Sequence, residues 1–181
     1  MTDTLAWHFV AATLRDGSPI PADGDLLKFH GELAICESGL HAAERIFDAL
    51  SYAPGNTICR VKCAEIGERQ DDKFVCAERT ILWRIDGEQI LRQFARRVAL
   101  DVIHLWDAPA IVRQYLETGD KAIRDAARDA AMAAAKDAAW DAAMAAAWAA
   151  AWAAARTAAL DKYNGWLTEM VEAVHAAESA T

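Results

Sequence analysis

Hydrophobic and polar positions recur every second residue in the first half of the chain and every third or fourth in the second. Leu5, Trp7 and Phe9 alternate with Ala6, His8 and Val10, the pattern of a half-buried strand. Residues 15–24 are dense in Asp, Gly, Ser and Pro and read as a loop. Leu26–His30 and Leu33–Cys36 read as short strands. Apolar residues at 40, 43, 46, 47 and 50 fall at helical spacing, so Leu40–Leu50 is expected to be a helix, stopped by Ala53-Pro-Gly-Asn56. Thr57–Ala64 alternates again, with Ile58, Arg60 and Lys62 on one face and Thr57, Cys59, Val61 and Cys63 on the other. Phe74–Ile85 is a further strand or strand pair that sets Ile81, Trp83 and Ile85 on one face.

From residue 86 the period is helical throughout. Asp86 is an N-cap with Glu88 in the first turn, and that helix runs over about 87–106. Asp107-Ala-Pro109 opens the next, about 108–118, which Gly119 ends. Asp120 caps a third, about 120–163, that meets no Gly or Pro before Gly165, and a last piece covers 166–178. The pattern predicts an α+β chain: a small β-rich module with one helix over 1–85, then an all-helical half over 86–181 built around a long Ala-rich helix.

Composition sharpens that second half. Of 181 residues 42 are alanine, and residues 122–159 hold 23 of them. Alanine is the best helix former and a poor core filler, which excludes a β structure there. From Arg124 the chain steps in fours, as RDAA RDAA MAAA KDAA WDAA MAAA WAAA WAAA RTAA. A period of four advances about 40° per unit around a helix of 3.6 residues per turn. Trp140, Met144, Trp148 and Trp152 then share one arc, and Arg124, Arg128 and Arg156 take the opposite side. That arc is read as a partner-binding face or as helix–helix core. A homo-oligomer built through this helix is a structural alternative. One straight helix over 120–163 would span roughly 66 Å. A globule of this length is about 40 Å across, so the helix is expected to protrude, break in two or be covered.

Charge and cysteine usage narrow the classes. The net charge is −8 and no region is strongly basic, so direct nucleic-acid binding is not expected. Charged residues interrupt every apolar stretch, so no membrane span is expected. MTDTLAWHFV lacks a basic n-region and a long apolar h-region, which predicts no secretory signal. Cys36, Cys59, Cys63 and Cys76 are then expected as reduced thiols in a cytoplasm. Cys59, Cys63 and Cys76 with His41 or His30 are poor zinc candidates. Cys59 and Cys63 lie about 13 Å apart along one strand, so buried small thiols are favoured and no metal is expected. Cys36-Glu-Ser-Gly-Leu-His41 packs a thiol, a carboxylate, a hydroxyl and an imidazole into six residues. The same residues also read as a strand-to-helix turn, with Ser38 as cap, Gly39 for a tight backbone and His41 in the first helical turn. No Gly-rich phosphate loop is present.

Two resemblances attach to these residues. Leu33-Ala-Ile-Cys-Glu-Ser-Gly-Leu-His-Ala42, then Asp48-Ala-Leu-Ser-Tyr-Ala-Pro-Gly55 and Asp72-Lys-Phe-Val75, resemble an uncharacterised domain common in phage and prophage genes, over about 5–85. The Ala-rich tail resembles the repetitive tails that such genes often carry behind that domain. The resemblance implies a phage or mobile-element origin, and so the cytoplasm of a bacterial host, but no activity. Trp7-His8, Gly39-Leu-His-Ala42 with Tyr52, and the Arg60-Val-Lys strand are similar to the ADP-ribosyltransferase and RNA 2′-phosphotransferase superfamily. That similarity implies NAD as cofactor, His8, His41 and Tyr52 around it, and Glu65 as the acid, with Glu78 competing. It departs from the family in its short length and in a His at 41 where an aromatic is usual. The reading preferred from the sequence is non-enzymatic: a phage-type anti-defence protein, an anti-CRISPR candidate, with no cofactor. It binds a host protein, such as a nucleic-acid enzyme of a defence system, or sequesters a ligand at His8, Ser38, His41 and Tyr52. A transferase and an oligomerising rod are the alternatives.

Overall fold

The computed structural model describes the backbone of residues 3–138 and 149–180, and the side chains of 3–134 and 158–180. Five strands form one antiparallel sheet: β1 (Thr4–Val10), β2 (Leu26–Lys28), β3 (Leu40–Ala42), β4 (Thr57–Arg69) and β5 (Phe74–Asp86), with a short helix α1 (Ile46–Leu50) between β3 and β4. The order is β1-β4-β5-β2, and β3 also pairs with β5. The long β4–β5 hairpin turns at Gln70–Lys73, where Asp71 and Asp72 supply turn-forming side chains and the Gln70 N–H donates to the Lys73 carbonyl at 2.8 Å. One more pairing brings the sheet back on itself. The Trp7 N–H donates to the Ala43 carbonyl at 2.7 Å, and the Ala43 N–H donates to the Trp7 carbonyl at 3.1 Å. Hydrogen bonds therefore run in a circuit, β1 to β4 to β5 to β3 to β1, which leaves few unpaired edges.

Both faces of the central strands are buried, which is why β1 and β4 carry apolar residues in both registers. Ala6, Val10, Ala42, Cys59, Val61, Cys63, Phe74, Cys76 and Ile81 form the inner cluster. Trp7, Phe9, Ile58 and Ile85 are buried on the outer side. The expected grouping of Ile81 with Trp83 and Ile85 does not occur. Val61 pairs with Ile81 but its neighbour Arg60 pairs with Trp83, so Leu82 is an extra residue and the strand changes face across it. Ile81 joins the inner cluster, while Trp83 meets Trp7 edge-on at 5.7 Å between centroids.

Two further expectations are corrected here. Leu33–Cys36 is a turn and not a strand: Ala34 and Ser38 exchange backbone hydrogen bonds, and the Ser38 hydroxyl donates to the Glu32 carbonyl at 2.6 Å. Residues 40–42 are a strand and not the start of a helix, because Leu40, His41 and Ala42 pair with Cys76, Val75 and Phe74. The helix begins only at Ile46, so Ser38 caps nothing and His41 lies in no helical turn.

Helices follow: α2 (Glu88–Asp101), α3 (Ala110–Thr118), α4 (Arg124–Ala138) and α5 (Ala149–Ser179). Asp86 caps α2 by accepting from the Glu88 N–H at 3.0 Å. Gly119 closes α3 in the left-handed region at φ 67°. Asp120 accepts from the Ala122 N–H at 2.8 Å, capping a 3₁₀ turn over Lys121–Ile123 that leads into α4. The second half is thus not helical throughout, with 3₁₀ turns at Ile103–Leu105 and Lys121–Ile123 and an extended step at 106–109. Gly165, expected to separate two helices, lies inside α5. Whether 120–163 is one helix or two is a question that falls on residues 139–148, outside those described.

The chain divides into two compact units, Met1–Gln89 with Asn164–Thr181, and Ile90–Tyr163. In the first, the end of α5 covers the outer face of the sheet. Asn164, Leu167, Val171 and His175 recur at helical spacing. The Asn164 side chain accepts from the Phe47 N–H, Leu167 and Val171 are fully buried, and His175 stacks on Trp83 at 4.0 Å. In the second unit, Asp101 receives Lys162 at 2.5 Å and the Tyr163 hydroxyl at 3.1 Å. Among the described residues no helix is long and apolar enough to cross a membrane.

Candidate functional site

The residues expected to form one site divide between two sides of β3. On β1, His8 shares its register with Ala6 and Val10 and points into the inner cluster. On β3, Leu40 and Ala42 take the inward positions, so the ring of His41 between them points away. Its Nε2 accepts from the Cys36 N–H at 2.9 Å, which leaves that nitrogen unprotonated. Cys36 holds a left-handed φ of 69°, and Gly39 follows at φ 105°. A Cβ at Gly39 would lie 2.4 Å from Val75 and 2.8 Å from Leu33, so only glycine fits the turn that delivers His41 to Cys36.

On that outward side the structure brings Cys36, His41 and Tyr52 together through Lys73. The Lys73 ammonium bonds the Cys36 thiol and the Tyr52 hydroxyl, which raises its own pKa, Cys36 being the larger cause. It also lies over the Tyr52 ring at 4.2 Å from the centroid. The Tyr52 hydroxyl donates to Asp72. Burial lowers the pKa of His41, opposed by a hydrogen bond with the Gly39 backbone and assisted by Lys73, Arg79 and Arg15. Beside this cluster a polar cavity of about 260 Å³ runs between Glu44, Arg45, Arg69 and the Gln70–Lys73 turn.

On the inward side His8 meets a residue that no motif or period in the sequence singles out. Arg79 lies on β5 opposite Cys63 of β4, only 6% exposed, and donates through Nη1 to the His41 carbonyl at 2.7 Å. Cys59, Cys63 and Cys76 surround it. Burial holds His8 well below the usual imidazole value, with the Arg79 and His41 charges adding to the effect. Burial pushes the Cys59 thiol up to about 11. Cys63 donates to Cys76, which raises its own pKa, and the Cys76 thiol donates to the Leu40 carbonyl at 3.2 Å. All three thiols are buried, and the hydrogen bond from Cys63 holds the Cys76 pKa below its ordinary value while Cys59 and Cys63 are raised. Among the described residues no three His, Cys, Asp or Glu side chains stand where they could hold one metal ion.

Neither candidate acid joins His8. Glu78 pairs with Lys28 at 2.5 Å, and Glu65 is exposed, its charge acting on the same Lys28. Ser38 is spent on its turn. Trp140, Met144 and Trp148 lie outside the described residues, and only the backbone of Trp152, within α5, is described.

Arg79 is hidden from the sequence because the inward face changes parity. Phe74 and Cys76 point inward, and strict alternation would then bring in Glu78. Instead Arg79 and Ile81 follow, and on β4 the same change falls between Cys63 and Ile66, where Glu65 has a left-handed φ of 52°. No periodic signal carries that bend.

Residues 6–93 match a family model described as a domain of unknown function, DUF7666. The match spans the sheet, α1 and the start of α2. No curated protein and no solved structure matches the chain.

Proposed function

We propose that the chain is a non-enzymatic binding protein of the phage or prophage type. It acts against a component of host defence by contacting a protein or by sequestering a ligand. The observation that carries the non-enzymatic part is the charge around His8. A transferase that cleaves NAD must stabilise a cationic ribose–nicotinamide transition state and activate an acceptor with a carboxylate. Beside His8 stands the guanidinium of Arg79, and the two candidate acids belong to Lys28. A buried cation opposes that transition state. Nor do the two imidazoles share a face, since His8 points inward and His41 outward.

The phage origin rests on the resemblance of the Cys36–Ala42 and Asp48–Gly55 segments, the role against host defence is an analogy with small phage proteins of this kind, and the acidic balance suits contact with a basic protein surface. The test is incubation of the full chain with labelled NAD and host lysate, beside an affinity capture from the same lysate. No transfer of label to protein or nucleic acid is expected, together with one specific captured partner. Transfer of label that His8→Ala or His41→Ala stops would overturn the non-enzymatic reading.

A further inference from the structure

Arg79 is a charge buried with very little to hold it. A guanidinium offers five N–H donors, and among the described residues only one bond is made, from Nη1 to the His41 carbonyl. No carboxylate lies within ion-pair distance of it among those residues, and the groups whose charge acts on it are the three cysteines. The ring nitrogens of His8 likewise have no protein partner there. Yet none of these donors is sealed off. No nitrogen of Arg79 or His8 is both fully buried and unbonded, so their remaining polar atoms still reach solvent. A guanidinium this buried is favoured when a group with matching acceptors takes up the donors it leaves open.

The geometry points to what compensates it. With Nη1 turned to His41, the free edge of the guanidinium is the Nε–Nη2 side, two parallel N–H groups spaced to grip two oxygens of one group. The Arg79 charge acts on His8, which shares the inward face of β1 with Ala6 and Val10 and whose ring nitrogens have no protein partner among the described residues. We propose that Arg79 and His8 form an oxyanion-binding site, in which the phosphate or carboxylate of a small ligand takes a two-point grip from Nε and Nη2 and a third hydrogen bond from His8. This deepens the ligand-sequestration branch of the proposed function and rests on it.

The test uses the full chain, with inorganic phosphate and acetate as separate probes at constant ionic strength set by sodium chloride. Binding is followed by calorimetry and by the ring resonances of His8 in NMR. A saturable shift of His8 with at least one probe is expected, and the stronger probe identifies the group. Arg79→Lys keeps the charge but loses the fork, and should weaken binding tenfold or more, the loss of about one charge-assisted hydrogen bond. The proposal is overturned if neither probe moves His8 in a saturable way, or if Arg79→Lys folds and binds as well as the wild type. Should Arg79→Lys fail to fold, the wild-type His8 titration still decides, and His8→Gln, which removes one ligand contact and no buried charge, should weaken binding several-fold. Failure here leaves the non-enzymatic reading standing, since only label transfer from NAD tests that.

Discussion

At the scale of single residues, conformation and burial set the behaviour of groups that composition would treat alike. The four cysteines are one example. Cys36 is exposed and hydrogen-bonded to Lys73, whereas Cys59, Cys63 and Cys76 are buried. Brief treatment of the native chain with iodoacetamide should therefore alkylate Cys36 alone, with the other three labelled only after denaturation, as peptide mass spectrometry can read. Gly39 is the second example. Gly39→Ala places a methyl group 2.4 Å from Val75 in a backbone region that disfavours any side chain, and should cost about 2–4 kcal/mol in chemical denaturation. His8 and His41 are the third. Both have folded-state pKa values below the unfolded value of about 6.5, so the unfolded chain binds more protons at acid pH. Their neutral forms contribute stability that is fully present above pH 6.5 and is lost as pH falls from there toward the depressed values. The melting temperature should drop across that window, and His8→Gln should flatten the drop; a slope unchanged in that variant would deny His8 its part.

At the scale of elements, what was legible depended on whether the periodic signal survived bending. β1, β4, the start of α2 and α3 are readable because alternation or helical spacing persists along them and because Asp86 and Asp120 cap starts and Gly119 closes an end by local mechanisms, while α2 stops at Asp101, short of the expected 106, and a 3₁₀ turn follows. β3 was not readable, because Leu40 and Ala42 fit a strand and positions 40, 43 and 47 fit a helix, and only pairing with the start of β5 decides between them. The same limit hid Arg79, whose inward position depends on a bend at Glu65 that no residue type announces. The end of α5 departs from its sequence pattern for the opposite reason: Gly165 is a helix breaker by propensity, costing about 1 kcal/mol, and tertiary burial outweighs it. Leu167 and Val171 are fully buried, and each should stabilise by roughly 1.5–3 kcal/mol. Leu167→Ala should thus cost about 2–5 kcal/mol in denaturant unfolding, while Gly165→Ala, with open space around the new methyl, should gain up to about 1 kcal/mol.

At the scale of the whole molecule, one unit is assembled from two distant stretches of chain, because Asn164–Thr181 group with Met1–Gln89 and not with the helices that precede them. Trp7, Trp83 and His175 form a continuous aromatic contact across that junction. Truncation after Tyr163 should expose the outer face of the sheet, with Trp7 and Trp83 emission moving to longer wavelength and limited proteolysis reaching β1 and β4. Unchanged emission and protection would mean that the sheet folds without its helical cover.

That arrangement also sets an order of events during synthesis. The strands leave the ribosome early, and Leu167 and Val171 emerge about 80 residues after α2 begins. At typical elongation rates of 5–20 residues per second the sheet waits roughly 4–16 s with Ile58 and Trp83 uncovered. Through that interval the nascent chain carries the outer apolar face of the sheet, Ile58 and Trp83 included, without the helix that covers it in the folded chain.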